Sequence, residues 1–81
     1  MINLKLIHGQ FSKADALSLI TQMLDVKIKY HEEKIRKSSN EEDIKMRESR
    51  IKQLQKELYE LRNSFESGNN TLTLNASIQI Q

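Results

Sequence analysis

The chain contains no cysteine and no proline. The absence of cysteine excludes disulfide bonds and thiolate metal sites. Glycine and aromatic residues are scarce too, with two Gly, two Phe, two Tyr and no Trp in 81 residues. A chain of this length buries roughly 60% of its unfolded surface, and small chains without disulfides often gain stability by self-association. We therefore expect a single domain, residues 1–81, whose own core is marginal.

Blocks of one charge sign and long apolar runs are also missing. Thirteen Lys and Arg oppose eleven Asp and Glu, giving a formal net charge of +2, so the charge balance requires no acidic partner. The apolar runs are too short for a transmembrane helix, and the first residues do not resemble a secretory signal. We therefore expect a cytoplasmic protein with no membrane partner.

The apolar residues in the middle of the chain are arranged symmetrically about Ser39. This symmetry is typical of two antiparallel helices joined by a short turn. It predicts a helix over about 13–37 and a second over about 40–67, which ends at Gly68. The matched pairs are Ile35 with Ile44, Ile28 with Ile51, Leu24 with Leu54, Ile20 with Leu58, and Leu17 with Leu61.

Short polar side chains precede both predicted helices. Ser12 is placed to cap the first helix. The second helix has two candidate caps, Asn40 with Asp43 or Ser39 with Glu42.

Both ends of the chain alternate between apolar and polar residues, which predicts strands over about 2–7 and 71–80. Ile7 breaks the first alternation, and residues 8–10 are expected to end that strand. The predicted order is strand–helix–helix–strand, an α+β class with a two-stranded antiparallel ribbon that oligomerisation can complete. Two arrangements stay open: the strands fold back on the hairpin, or they pair across subunits.

Two polar residues, His31 and Arg47, interrupt the two apolar stripes at the same level. Three interpretations are open: a polar layer that fixes the register of the helices, a ligand or anion site together with Lys27, and partial exposure without a role. We favour the polar layer. The sequence contains no second histidine at zincin spacing, no recognisable catalytic triad and no glycine-rich phosphate loop. We therefore expect no enzyme, with no catalytic, cofactor-binding or metal-binding residues.

The first helix also carries a basic strip. A solvated face explains it better than a nucleic-acid site, because Asp25, Glu32 and Glu33 interleave with the basic residues. Weak nucleic-acid binding is the alternative function. Its candidate contacts are Lys27, Lys29, Lys34, Arg36 and Lys37.

The first helix has more apolar surface than one partner helix can cover. A second stripe lies roughly a hundred degrees from the first, and such a stripe is unusual on the surface of a monomer. We therefore expect a non-enzymatic interaction or assembly module that binds itself, as a homodimer or higher oligomer, or binds another protein. The candidate interface residues are Leu19, Met23, Val26 and Tyr30 of the first helix, and Leu74, Ile78 and Ile80 of the last strand.

Two short segments of the chain carry a resemblance, first Gly9, Gln10, Phe11, Ser12 and Ala16, and then Lys27, Ile28, Lys29, Tyr30, His31 and Glu32. They resemble a pattern in small uncharacterised bacterial proteins. The resemblance covers most of the chain and implies a bacterial protein with a polar helical hairpin and a strand-like tail. It implies no activity and no functional residues.

Overall fold

A computed structural model describes residues 1–64 and 71–81. Four elements follow one another: β1 (Ile2–Ser12), α1 (Lys13–Lys37), α2 (Glu41–Ser64) and β2 (Thr71–Ile80). The predicted strand–helix–helix–strand order and the α+β class are confirmed. The predicted end of the second helix, at residue 67 and Gly68, lies outside the described residues.

The two helices pack as a hairpin through their matched apolar faces. Leu54 of α2 is buried, and the other members of the described seam are half-buried because one partner helix covers only one side of each. The half-buried members are Leu17, Ile20, Leu24, Ile28, Ile35, Ile44, Ile51, Leu58 and Leu61.

Side-chain caps fix where each helix begins. The Ser12 hydroxyl accepts a hydrogen bond from the backbone N–H of Asp15, at 3.2 Å, as the sequence predicts. For α2, the amide oxygen of Asn40 accepts from the backbone N–H groups of Glu42 and Asp43, at 2.9 and 3.1 Å. Asn40 is therefore the cap of α2, and the alternative with Ser39 is wrong.

The two strands form an antiparallel ribbon from Ile2 opposite Ile80 to Ser12 opposite Thr71. The prediction that residues 8–10 end the first strand is wrong, because β1 continues to Ser12. Lys5 lies opposite Ser77 and Ile7 lies opposite Ala76, so Leu6 is the extra residue of a β-bulge. The bulge absorbs the break in alternation and returns Ile7 to the apolar face of the ribbon.

The ribbon folds back onto the first half of α1, and α1 therefore contacts α2 on one side and both strands on another. A cleft of about 230 Å³ lies between α1 and the ribbon. The sequence left open whether the strands fold back on the hairpin or pair across subunits. Within a single chain, the strands fold back on the hairpin. The apolar residues lining the cleft are Ile20, Met23 and Leu24 from α1, and Ile7, Leu74 and Ala76 from the ribbon.

The core is small for the length of the chain. Among residues 1–64 and 71–81, Ala16 and Leu54 are the only buried apolar residues. The Cα atoms span 45 × 35 × 13 Å with a radius of gyration of 15.4 Å, against about 12 Å for a compact domain of this length.

Candidate interaction surfaces

The far end of the ribbon is an exposed apolar surface, called here the ribbon tip. Its cross-strand pairs, Ile2 with Ile80 and Leu4 with Ile78, lie on the same face of the ribbon as Leu74. Each of the four residues in these two pairs is between 45% and 55% exposed. The ribbon tip consists of Met1, Ile2, Leu4, Leu6, Ile78 and Ile80.

Only part of the apolar face of the ribbon is covered by α1. Leu72, Leu74 and Ala76 of β2 are half-buried, whereas Ile78 and Ile80 are exposed. The change coincides with the bulge in β1, since Ala76 is the partner of Ile7. A bulge bends its strand and increases the local twist, and the apolar residues of β2 beyond this level are exposed.

The second stripe of α1 is likewise covered at one end only. Leu19 is half-buried and Met23 lines the cleft against the ribbon. Further along the helix, Val26 is 70% exposed and Tyr30 is 54% exposed. On α1, the candidate interface residues therefore fall into a part next to the ribbon, where Met23 is still 38% exposed, and an uncovered part at Val26 and Tyr30.

The structure brings His31 and Arg47 together across the hairpin. Nη1 of Arg47 lies 3.1 Å from Nδ1 of His31, and Nε of Arg47 donates to a carboxylate oxygen of Asp43 at 3.2 Å. The guanidinium also lies 5.8 Å from the ring centre of Tyr30, within the range of a cation–π interaction. Only 17% of the Arg47 side chain is exposed.

These contacts occupy the groups that a ligand would need. An arginine can only donate, so the neutral imidazole of His31 accepts through Nδ1 in this contact. The charge of Arg47 is balanced by Asp43, on the preceding turn of α2. The geometry favours a polar layer within the hairpin over an anion site. Lys27 lines a cleft together with His31, but Arg47 does not line that cleft.

The basic strip of α1 is exposed along its length. Arg36 and Lys37 both form ion pairs with Glu33, and the ammonium group of Lys34 lies 5.7 Å from the ring centre of Tyr30. The hydrogen bond from Lys37 and the positive charge of Arg36 hold the pKa of the Glu33 carboxyl below its usual value. Glu33 therefore neutralises part of the positive charge of the strip, which weakens the attraction of the strip for a phosphate backbone.

Sequence reasoning missed two features of these surfaces. Asp43 is the ion-pair partner of Arg47, and its position four residues earlier on the same helix is the signal that could have identified it. Ile2 and Leu4 belong to the same exposed surface as Ile78 and Ile80. The register of the ribbon, which the bulge shifts by one residue, was needed to place them there.

Two other kinds of site are absent from the described helices and side chains. Within residues 1–64 and 71–81, no group of three or more His, Asp or Glu side chains is placed to hold a metal ion. No described helix combines the length and the apolar character needed to span a bilayer.

Comparisons with models of protein families, with curated proteins and with solved structures found no match. The resemblance to small bacterial proteins therefore stays a prediction. Functional inference rests on the surfaces of this chain alone.

Proposed function

We propose that this protein is a non-enzymatic assembly module that self-associates through the ribbon tip and the uncovered part of α1. The observation that carries the proposal is the small core, with Ala16 and Leu54 the only buried apolar residues in the described ranges. A core of this size gives a single chain little to offset the loss of conformational entropy on folding.

The surface area supports the same conclusion. The accessible surface is 6561 Å², whereas a compact monomer of 9.5 kDa exposes about 5,000 Å². The excess of about 1,500 Å² is larger than the roughly 800 Å² that each partner buries in a typical stable interface. Association would therefore bring the exposed area into the range of ordinary folded proteins.

The apolar side chains in question are also grouped rather than scattered. Four large apolar residues of the ribbon tip, Ile2, Leu4, Ile78 and Ile80, share one face of the ribbon in cross-strand pairs. Contiguous apolar patches are typical of interaction sites. Met46 and Tyr59 of α2 are as exposed as these residues but lie apart from one another along the helix. They provide matched controls for mutation.

Sedimentation equilibrium between about 1 and 100 µM tests the proposal, since a dimer with a micromolar Kd changes its population over this range. We expect a dimer or higher oligomer for the natural chain. Ile78→Ser and Ile80→Ser together should shift the chain toward monomer, whereas Met46→Ser and Tyr59→Ser together should not. A monomer at the highest concentration would overturn self-association.

The alternative function, weak nucleic-acid binding by the basic strip, has less support because Arg36 and Lys37 are paired with Glu33. Binding of this kind weakens steeply with salt. A fluorescence titration with a labelled oligonucleotide at low salt tests it directly. The absence of a shift would remove this alternative.

A further inference from the structure

We infer that two copies of the chain join through the outer edges of β2, which run antiparallel to each other and form a four-stranded sheet. The inference rests on the proposed self-association and specifies its partner and geometry. The strand order in the dimer is β1–β2–β2–β1, with a two-fold axis between the central strands.

Each strand of the ribbon leaves one edge open, because the sheet has only two strands. An open edge presents unpaired backbone N–H and C=O groups to any strand that approaches it. A ribbon of two strands is only marginally stable in water. A sheet of three or more strands with an apolar face can be stable on its own. Addition of strands therefore both satisfies the edge and stabilises the sheet.

The two edges differ in how well they are protected. β1 contains Lys5 and the bulge at Leu6, and both features discourage pairing with a further strand. The sequence of β2, TLTLNASIQI, contains no charged residue and no proline. Pairing is therefore favoured at the edge of β2.

The sequence of β2 is complementary to itself when two copies run antiparallel. If the two-fold axis passes through Ala76, then Leu74 lies opposite Ile78 of the partner subunit, and Leu72 lies opposite Ile80 of the partner subunit. Side chains opposite each other in an antiparallel pair share a face, so aliphatic residues meet aliphatic residues. On the other face, Thr, Asn, Ser and Gln meet one another with no repulsion between like charges.

This pairing also brings the exposed end of β2 into contact with the partner subunit. Ile78 and Ile80 are exposed, while Leu72 and Leu74 are half-buried next to α1. The antiparallel arrangement places the exposed end of each β2 beside the covered end of the other. The apolar face then runs without a break across the sheet, from the α1 helix of one copy to that of the other.

Contact between two α1 helices is less favourable as the principal interface. Val26 and Tyr30 are only two exposed side chains, and Lys27, Lys29 and Lys34 flank them. A two-fold axis at this stripe brings the same basic residues of both copies together, which costs electrostatic free energy.

Distances between spin labels test the arrangement, and the chain is suited to labelling because it has no cysteine. Thr73→Cys and Gln79→Cys place one label on each side of Ala76, on the polar face of β2. With a rise of about 3.4 Å per residue, each variant should give a distance of about 20 Å between equivalent backbone sites in the two subunits. A shifted antiparallel register lengthens one distance and shortens the other, so the sum stays at about 40 Å.

A charge on the edge provides the second test. Ser77→Lys places two ammonium groups near the two-fold axis, and we expect it to weaken dimerisation at least tenfold. Asn3→Lys is the matched control. Asn3 belongs to β1, where it pairs with Gln79, and so it lies one strand away from the outer edge of β2. It should leave the dimer dissociation constant within a factor of three.

The outcomes separate the two proposals. If the natural chain is monomeric, the proposed function fails. If it dimerises but the two label distances do not sum to about 40 Å, or if Ser77→Lys and Asn3→Lys have equal effects, self-association stands and pairing through β2 is overturned.

Discussion

Arg47 of α2 lies within hydrogen-bonding distance of His31 of α1, with Nη1 3.1 Å from Nδ1 of the imidazole. The contact joins the two helices near the closed end of the hairpin, at a level where aliphatic pairs would otherwise continue. Because arginine only donates, the imidazole must accept. In the neutral ring the proton then lies on Nε2, and the same contact aligns the two helices.

The two histidines of the chain are expected to carry their protons on different nitrogens. Nδ1 of His8 lies 2.7 Å from the side-chain oxygen of Asn75, so His8 donates through Nδ1, whereas His31 accepts through Nδ1. Long-range ¹H–¹⁵N NMR spectra of the neutral chain distinguish the two tautomers. Arg47→Leu should change the spectrum of His31 and leave that of His8 unchanged, and the same tautomer at both rings would contradict the assignment.

We expect the polar layer of His31 and Arg47 to fix the alignment of the two helices without adding to the net free energy of unfolding. Arg47→Leu leaves Asp43 and His31 without their shared donor, and we expect a loss of about 1–2 kcal/mol in the free energy of unfolding. His31→Leu combined with Arg47→Leu restores apolar contact across the hairpin and should be at least as stable as the natural chain. Urea unfolding at one fixed protein concentration measures both effects. A double variant less stable than Arg47→Leu would contradict this interpretation.

The cap of α2 can be tested with two neighbouring residues. Asn40→Ala removes the acceptor for the backbone N–H groups of Glu42 and Asp43 and should cost about 1 kcal/mol of unfolding free energy. Asn40→Asp keeps a good cap and should cost little. Ser39→Ala is the control, since the side chain of Asn40 already serves both N–H groups. Equal losses for Asn40→Ala and Ser39→Ala would show that capping is shared.

The symmetry about Ser39 was sufficient to predict the helical hairpin, because an apolar stripe at helical spacing requires a partner stripe. The length of β1 could not be predicted in the same way. Its alternation is broken at Ile7, and only pairing with β2 determines whether such a break ends a strand or forms a bulge. The candidate interface was predictable only in part. The apolar residues of β2 follow from the regular alternation of its own sequence, whereas the contribution of Ile2 and Leu4 depends on the register of the two strands.

Acidification should weaken the last turns of α1 through Glu33. Its pKa is lowered in the folded chain by the hydrogen bond from Lys37 and the charge of Arg36, so its contribution to stability is present above the pKa of the unfolded chain. That contribution is lost as the pH falls through the lower pKa of the folded chain. Glu33→Gln should therefore be less stable than the natural chain at pH 7, and the difference should shrink as the pH falls through the pKa of the folded chain. A difference that is independent of pH would contradict the ion-pair explanation.

Gly9 allows the backbone of β1 to adopt a conformation that other residues disfavour. Its φ is 131°, and a Cβ atom built at this position has no neighbour within 4 Å. Gly9→Ala should therefore destabilise the chain by about 1–3 kcal/mol through backbone strain and not through a steric clash. The measurement is urea unfolding at fixed protein concentration, with Gln10→Ala as a control in the same strand. A synthetic chain with D-alanine at position 9 separates the two causes, because its Cβ also adds bulk but its backbone favours positive φ. Recovery of stability with D-alanine is the expected result, and equal losses for both alanine forms would contradict the strain explanation.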